Sequence, residues 1–197
     1  TTNMNLRFQY GVDQLTIAIA LGIANGKIQG YLGPASVEKI QASADAVHQI
    51  VLDGRTVYGV NTGFGILANT SISEEDTRTL QYKILQSHSV GVGNPIAPEI
   101  AKLMLITKVH ALAKGFSGVQ LSTLERLCWM IDQDVIPIVP EKGSVGASGD
   151  LAPLSHLCLP LIGLGELTVR GKRRATAEVL IEFKLQPVQL GPKEGQI

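Results

Sequence analysis

The sequence predicts a mainly α fold, and three observations carry that prediction. Of its 197 residues, 45% are hydrophobic and 17% charged, which is ample for a buried core and excludes a disordered chain. Apolar residues recur at helical spacing, as at Val37, Ile40, Ala44, Val47 and Ile50. Start and stop signals bracket such stretches, among them Ser73 ahead of Glu74-Glu75-Asp76 and the pairs Asn25-Gly26 and Asp53-Gly54. The length fits one domain or a large fragment of one. No internal repeat or low-complexity linker is visible.

Taken in order, residues 13–25 form an apolar helix that stops at Asn25-Gly26. Gly33-Pro34 opens a second helix, with Pro34 in its first turn, where a missing N–H costs nothing. It ends at Asp53-Gly54, and the Gly-rich loop Tyr58-Gly59-Val60-Asn61-Thr62-Gly63-Phe64-Gly65 follows. Ser73 caps a helix that runs to about Ser89, where Gly91-Val92-Gly93-Asn94-Pro95 breaks it. Two more helices occupy 97–114 and 121–134, with Met104, Trp129 and Met130 as core packing. Ile136-Pro137-Ile138-Val139-Pro140 is extended by its prolines. A helix then runs to about Ile162, a small hairpin turns at Gly171, and a short helix covers 176–183. The segment 189–197 reads as the middle of a fold.

Several function classes are excluded early. Lys+Arg and Asp+Glu number 17 each, so no basic stripe invites nucleic acid or an anionic membrane. The histidines His48, His88, His110 and His156 have no metal-ligand spacing, and no metal is expected. His110 and His156 read as core or capping residues. Cys128 and Cys158 sit among apolar residues and read as reduced thiols of a cytoplasmic protein, with a disulfide as the alternative. Leu15–Ala24 is apolar like a signal-peptide core, but only Arg7 precedes it as a basic residue and Asp13 abuts it. The uncharged run 151–165 is too short to span a membrane and contains two prolines, Pro153 and Pro160.

The chemically informative string is Gly143-Ser144-Val145-Gly146-Ala147-Ser148-Gly149-Asp150-Leu151-Ala152-Pro153-Leu154. Three of the smallest residues, Ala147-Ser148-Gly149, stand together with an acid behind them. The Gly149 nitrogen can reach the Ala147 carbonyl, and the Ser148 hydroxyl can leave as water. A backbone that cyclises and dehydrates in this way becomes an electrophile, which no ordinary side chain supplies. As a bare turn, the same residues would only cap a helix through Ser148 or Asp150.

This string resembles the signature of the histidine and aromatic amino-acid ammonia-lyases. In that family Ala-Ser-Gly condenses into 4-methylideneimidazol-5-one (MIO), so the resemblance implies an MIO generated from Ala147, Ser148 and Gly149, with Asp150 assisting cyclisation or fixing the loop. The Tyr58 loop resembles the family's Tyr-Gly-Val-Asn-Thr-Gly-Phe-Gly motif, which implies Tyr58 as the base, with Gly59 and Asn61 beside the substrate. A phenol ordinarily titrates at about 10, so nearby donors or a helix N-terminus would have to favour its phenolate. The resemblance places His88 against the substrate side chain, where an imidazole suits histidine or tyrosine and does nothing for a bare phenyl ring. Asn61, Gly115-Phe116-Ser117-Gly118 and Val145-Gly146 are more similar to the histidine type.

The implied fold is the N-terminal part of an ammonia-lyase-type helical fold with Gly-rich active-site loops. Residues 1–197 would be the MIO-bearing domain, and the C-terminal half of the helical bundle would lie outside the chain. The implied reaction is elimination of ammonia from L-histidine to give trans-urocanate. The alternatives are a tyrosine ammonia-lyase, an MIO-dependent aminomutase, or a non-catalytic fragment or interaction module. The complete protein would be a homotetramer with a small amino-acid substrate. The isolated 197-residue chain would turn over little or nothing and would expose an unpaired apolar face.

Overall fold

A computed structural model describes residues 6–62, 73–145 and 149–196. Residues 63–65 of the Gly-rich loop and Gly146, Ala147 and Ser148 of the signature lie outside the described residues.

The chain opens with a unit that the sequence patterns did not reveal. Strand β1 (Leu6–Gln9) pairs in parallel with β2 (Ile28–Tyr31), joined by helix α1 (Ile17–Ala24). The helix is shorter than the expected 13–25. Asp13 instead closes the turn after β1 by accepting from the Gln9 N–H at 2.7 Å, and Thr16 is the N-cap, accepting from the Ile19 N–H at 3.3 Å. Four-residue strands are too short to establish a period of two against the apolar residues around them.

Helix α2 (Pro34–Leu52) starts at Gly33-Pro34 and stops at Asp53 as expected. Its apolar stripe packs lightly: Ile40 is buried, while Val37, Ala44, Val47 and Ile50 remain half-exposed. Helix α3 (Glu74–His88) begins at the Ser73 cap, whose hydroxyl accepts from the Asp76 N–H at 3.1 Å.

The core forms around α4 (Pro98–Leu112) and α5 (Leu121–Asp132). Ala101, Leu105, Val109 and Leu112 form one row on α4, with Ile106 beside it, and all are buried. Leu124, Leu127, Met130 and Ile131 face them from α5. Each fully buried Leu or Ile here contributes about 1.5–3 kcal/mol of transfer free energy, which is why α4 keeps its length despite a weakly amphipathic sequence. Trp129 packs edge-on against Phe183 at 5.0 Å between ring centroids.

The extended stretch around 136–140 divides between two sheets. Strand β3 (Val92–Pro95) lies in the segment expected only as a helix break, and it pairs antiparallel with β5 (Pro140–Lys142), with an irregularity between Val92 and Pro95. Strand β4 (Val135–Pro137) joins β6 (Glu166–Val169) and β7 (Lys172–Ala175), so the expected hairpin is two-thirds of a three-stranded antiparallel sheet. Helix α6 (Leu151–Cys158) continues as a 3-10 turn to Ile162, and α7 (Thr176–Glu182) follows the hairpin.

Both cysteines are free thiols. Burial pushes Cys158 up to about 11 and Cys128 up to about 12, which makes both poor nucleophiles. Among the described residues, no helix is long and apolar enough to cross a membrane.

Candidate active site

A cleft of about 550 Å³ gathers five parts of the chain: Tyr58, α3, α4, α6 and residues 195–196. From α3 it takes Leu80, Lys83, Ile84, Ser87 and His88, one helix face at spacings of three and four. Leu151, Leu154 and Ser155 line it from α6, which starts one residue after Asp150.

The loop bearing Tyr58 is held from below. Asn61 is buried, and its amide is spent on the backbone: Oδ1 accepts from the Val57 N–H at 2.9 Å and Nδ2 donates to the Arg55 carbonyl at 2.7 Å. The Gly59 N–H donates to Thr62 Oγ1 at 3.3 Å. Gly59 has φ +75°, a turn conformation that favours glycine, and a Cβ there would come within 2.8 Å of Gln196 Nε2 and displace that amide. The turn presents Tyr58, which is 63% exposed, at the cleft. Gly59 and Asn61 are not among the residues lining the cleft; they shape the turn that carries Tyr58.

His88 ends α3, and its Nδ1 lies 2.8 Å from the Ile84 carbonyl. A carbonyl only accepts, so Nδ1 donates in that contact, and in the neutral ring Nε2 is then an acceptor. Lys83 and Lys108 add positive charge to the cleft wall. Sequence reasoning singled out neither lysine, nor Ser87 or Gln196. Steps of four back along α3 from His88 reach Ile84 and Leu80, while Ser87 is its chain neighbour and Lys83 lies four before Ser87, on the edge of the same face.

Gly149 and Asp150 mark the far end of the signature loop. Gly149 has φ +108°, and among the described residues no atom lies within 4 Å of where a Cβ would sit. The Asp150 carboxylate accepts a hydrogen bond from Ser144 Oγ, closing the loop across the triplet. A Gly149 backbone conformation suited to glycine, with Ser144 and Asp150 clasped together, fits a ring closed through the Gly149 nitrogen. Among the described residues, no group of His, Cys, Asp and Glu is arranged to hold a metal ion.

The other two well-placed histidines brace the backbone. His110 Nδ1 accepts from the Gly11 N–H at 3.0 Å, and His156 Nε2 accepts from the Gly91 N–H at 3.0 Å. The second contact ties α6 to the segment after His88. Burial holds both imidazoles below the usual histidine value, and Lys114 adds to the effect at His110. A lowered folded-state value means that the unfolded chain binds more protons once the pH falls below about 6.5. Stability is therefore expected to drop as pH falls through that value toward the lower folded-state values. The thermal midpoint should fall by roughly a few degrees, a modest effect because both rings are partly solvated. Melting curves between neutral and mildly acidic pH check this, with His156→Gln expected to flatten the slope. An unchanged slope in a double His110→Gln, His156→Gln variant would reject the assignment.

Comparison with known proteins shows the family and the fold. Residues 15–196 match the family described as aromatic amino acid lyase, and the chain belongs to that family. The histidine ammonia-lyase of Shewanella pealeana is 46% identical over 181 residues, which cover 92% of this chain and 36% of that protein. The solved histidine ammonia-lyase of Trypanosoma cruzi superposes with a TM-score of 0.87 at 35% identity, over 96% of this chain and 36% of that one. The tyrosine aminomutase of Streptomyces globisporus gives a TM-score of 0.87 at 32% identity, with the same coverage of both chains. The chain thus spans about a third of the length of these relatives, and its mainly helical architecture is that of the ammonia-lyase fold.

Proposed function

We propose that the full-length protein eliminates ammonia from L-histidine to give trans-urocanate. The observation that carries this reading is the convergence of Tyr58, His88 and the start of α6, directly behind Ala147-Ser148-Gly149-Asp150, on one cleft.

The reaction must expel a poor leaving group and remove a weakly acidic proton. An MIO formed from Ala147, Ser148 and Gly149 would supply an electrophile for the substrate amine, making it a better leaving group. Tyr58, as phenolate, takes the proton from the β carbon. The C–H electron pair becomes the Cα–Cβ double bond as the C–N bond breaks and ammonia departs. Asp150 clasps the triplet loop through Ser144, while Asn61 and Gly59 hold the Tyr58 turn. Lys83 and Lys108 complement the substrate carboxylate by charge. His88 offers an acceptor to the N–H of a substrate imidazole, a contact that a phenyl ring cannot return.

The domain reading extends this proposal: residues 1–197 serve as the MIO-bearing part of an enzyme that works as a cytoplasmic homotetramer. Exposed apolar side chains such as Ile17, Leu52 and Ile181 are the kind of surface that assembly covers. The fold likeness to a tyrosine aminomutase supports a second reading in which the same site moves the amine to the β carbon of tyrosine. The deciding experiment supplies L-histidine and L-tyrosine separately to the full-length protein and follows ammonia, urocanate, coumarate and β-tyrosine. Urocanate with ammonia is expected. Coumarate alone, or β-tyrosine without net ammonia release, would replace the histidine reading.

A further inference from the structure

Glu194 is completely buried and densely hydrogen-bonded. Its Oε1 accepts from the Gln120 N–H at 2.8 Å and from Thr123 Oγ1 at 2.7 Å. Its Oε2 accepts from Gln120 Nε2 at 2.5 Å and from the Gly191 N–H at 2.6 Å. A carboxylate taken out of water is costly, and four donors are what make the burial sustainable. It also sits at the N-terminus of α5, the favourable end for a negative charge. Gln120, the N-cap residue of α5, makes no side-chain cap of its own; its N–H and the Thr123 hydroxyl in the first turn are instead held by Glu194, more than seventy residues away.

The anchored segment leads directly to the cleft. The Gly195 N–H donates to Gln81 Oε1 at 2.7 Å, locking the segment on α3. One residue on, Gln196 Nε2 donates to the Gly59 carbonyl at 2.5 Å, on the turn that carries Tyr58. Gln196 itself lines the cleft. A continuous path of hydrogen bonds and one short stretch of backbone therefore runs from the start of α5, through Glu194 and the 3-10 turn Glu194–Gln196, to the residue next to Tyr58.

We propose that Glu194 is a positioning residue for Tyr58: its buried carboxylate fixes residues 191–196 on α5, so that the Gln196 amide holds the Tyr58 turn in the cleft. This inference rests on the reading of Tyr58 as the base. Glu194 touches neither substrate nor Tyr58 and acts through Gln196. Replacing it with Gln keeps the shape but turns an acceptor into a donor that faces donors, which releases the segment.

The test uses the full-length protein carrying Glu194→Gln or Gln196→Ala, each made in the wild-type and in the Tyr58→Phe background. Loss of the two waters in intact mass reports the ring, and kcat and KM for L-histidine report turnover. In the wild-type background, both variants are expected to keep the ring and to lower kcat by about tenfold to a hundredfold, the scale of a misplaced catalytic group, with KM changing far less. In the Tyr58→Phe background the same substitutions should cost almost nothing further, because the phenol they position is gone. Gln196→Ala spares the Glu194 network and decides the matter if Glu194→Gln fails to fold. A folded Gln196→Ala variant with unchanged kcat, or an equal loss in both backgrounds, would overturn the inference while leaving the ammonia-lyase reading in place. A wild-type protein with no ring and no ammonia release would instead overturn that reading, and this inference with it.

Discussion

Replacing Ser148 with Ala is expected to abolish ammonia release. Alanine has no hydroxyl to lose, so the triplet cannot dehydrate to a methylidene group, and without it the substrate amine meets no electrophile. The readout is independent of turnover. The wild-type full-length protein should weigh two water molecules less than its translated sequence and carry a near-ultraviolet absorbance that borohydride removes. The Ser148→Ala variant should lack that absorbance and the deficit for a formed ring. Ammonia release near the wild-type rate in this variant would mean that the chemistry does not pass through the triplet.

Tyr58→Phe is expected to lower kcat by about 10²- to 10⁴-fold, the usual contribution of a positioned general base. The substitution removes one oxygen from a side chain that is 63% exposed at the cleft. Its effect on stability should therefore stay within about 0.5 kcal/mol. The ring should still form, since Tyr58 and the triplet lie on separate loops. A folded, ring-bearing Tyr58→Phe protein with less than about a tenfold loss would remove Tyr58 from the role of base and leave the electrophile reading untouched. The two variants thus separate the two halves of the elimination: Ser148→Ala loses the ring and the activity together, while Tyr58→Phe loses activity with the ring in place.

Much of the helical fold was legible because its signals are local. Ser73 caps α3, Pro34 opens α2, and Gly171 turns the hairpin, each through contacts within a few residues. The short strands were not legible. β1, β2 and β3 have four residues each, and their pairing depends on partners far along the chain: Leu6 with Ile28, and Val92 with Lys142. Asp13 shows how a local signal misleads. An acid ahead of an apolar run reads as part of a helix start, but its carboxylate is already engaged by the Gln9 N–H, and the helix waits for Thr16.

The candidate site divides along the same line. Tyr58, His88 and Ala147-Ser148-Gly149 could be singled out by residue type and motif, because the elimination needs a base, a selectivity contact and an electrophile. Asn61 and Gly59, expected beside the substrate, make hydrogen bonds that hold the Tyr58 turn, a role their letters did not show. Glu194 and Gln196 could not be assigned any part from the letters Lys193-Glu194-Gly195-Gln196 alone. Their importance comes from hydrogen-bond partners more than seventy and more than one hundred and thirty residues away.

By itself, the sequence determined the chemical inventory: a triplet able to cyclise, a tyrosine in a Gly-rich turn, a histidine at a helix end, and helices long enough to carry them. Only the tertiary structure decided that Tyr58, α3 and α6 share one cleft and that the buried Glu194 carboxylate, bonded to the start of α5, braces it. The physical reason is range. Caps, turns and backbone cyclisation are settled by neighbours in the chain, whereas the burial of Glu194 and the approach of Gln196 to Gly59 exist only once the core around α4 and α5 has brought distant segments together.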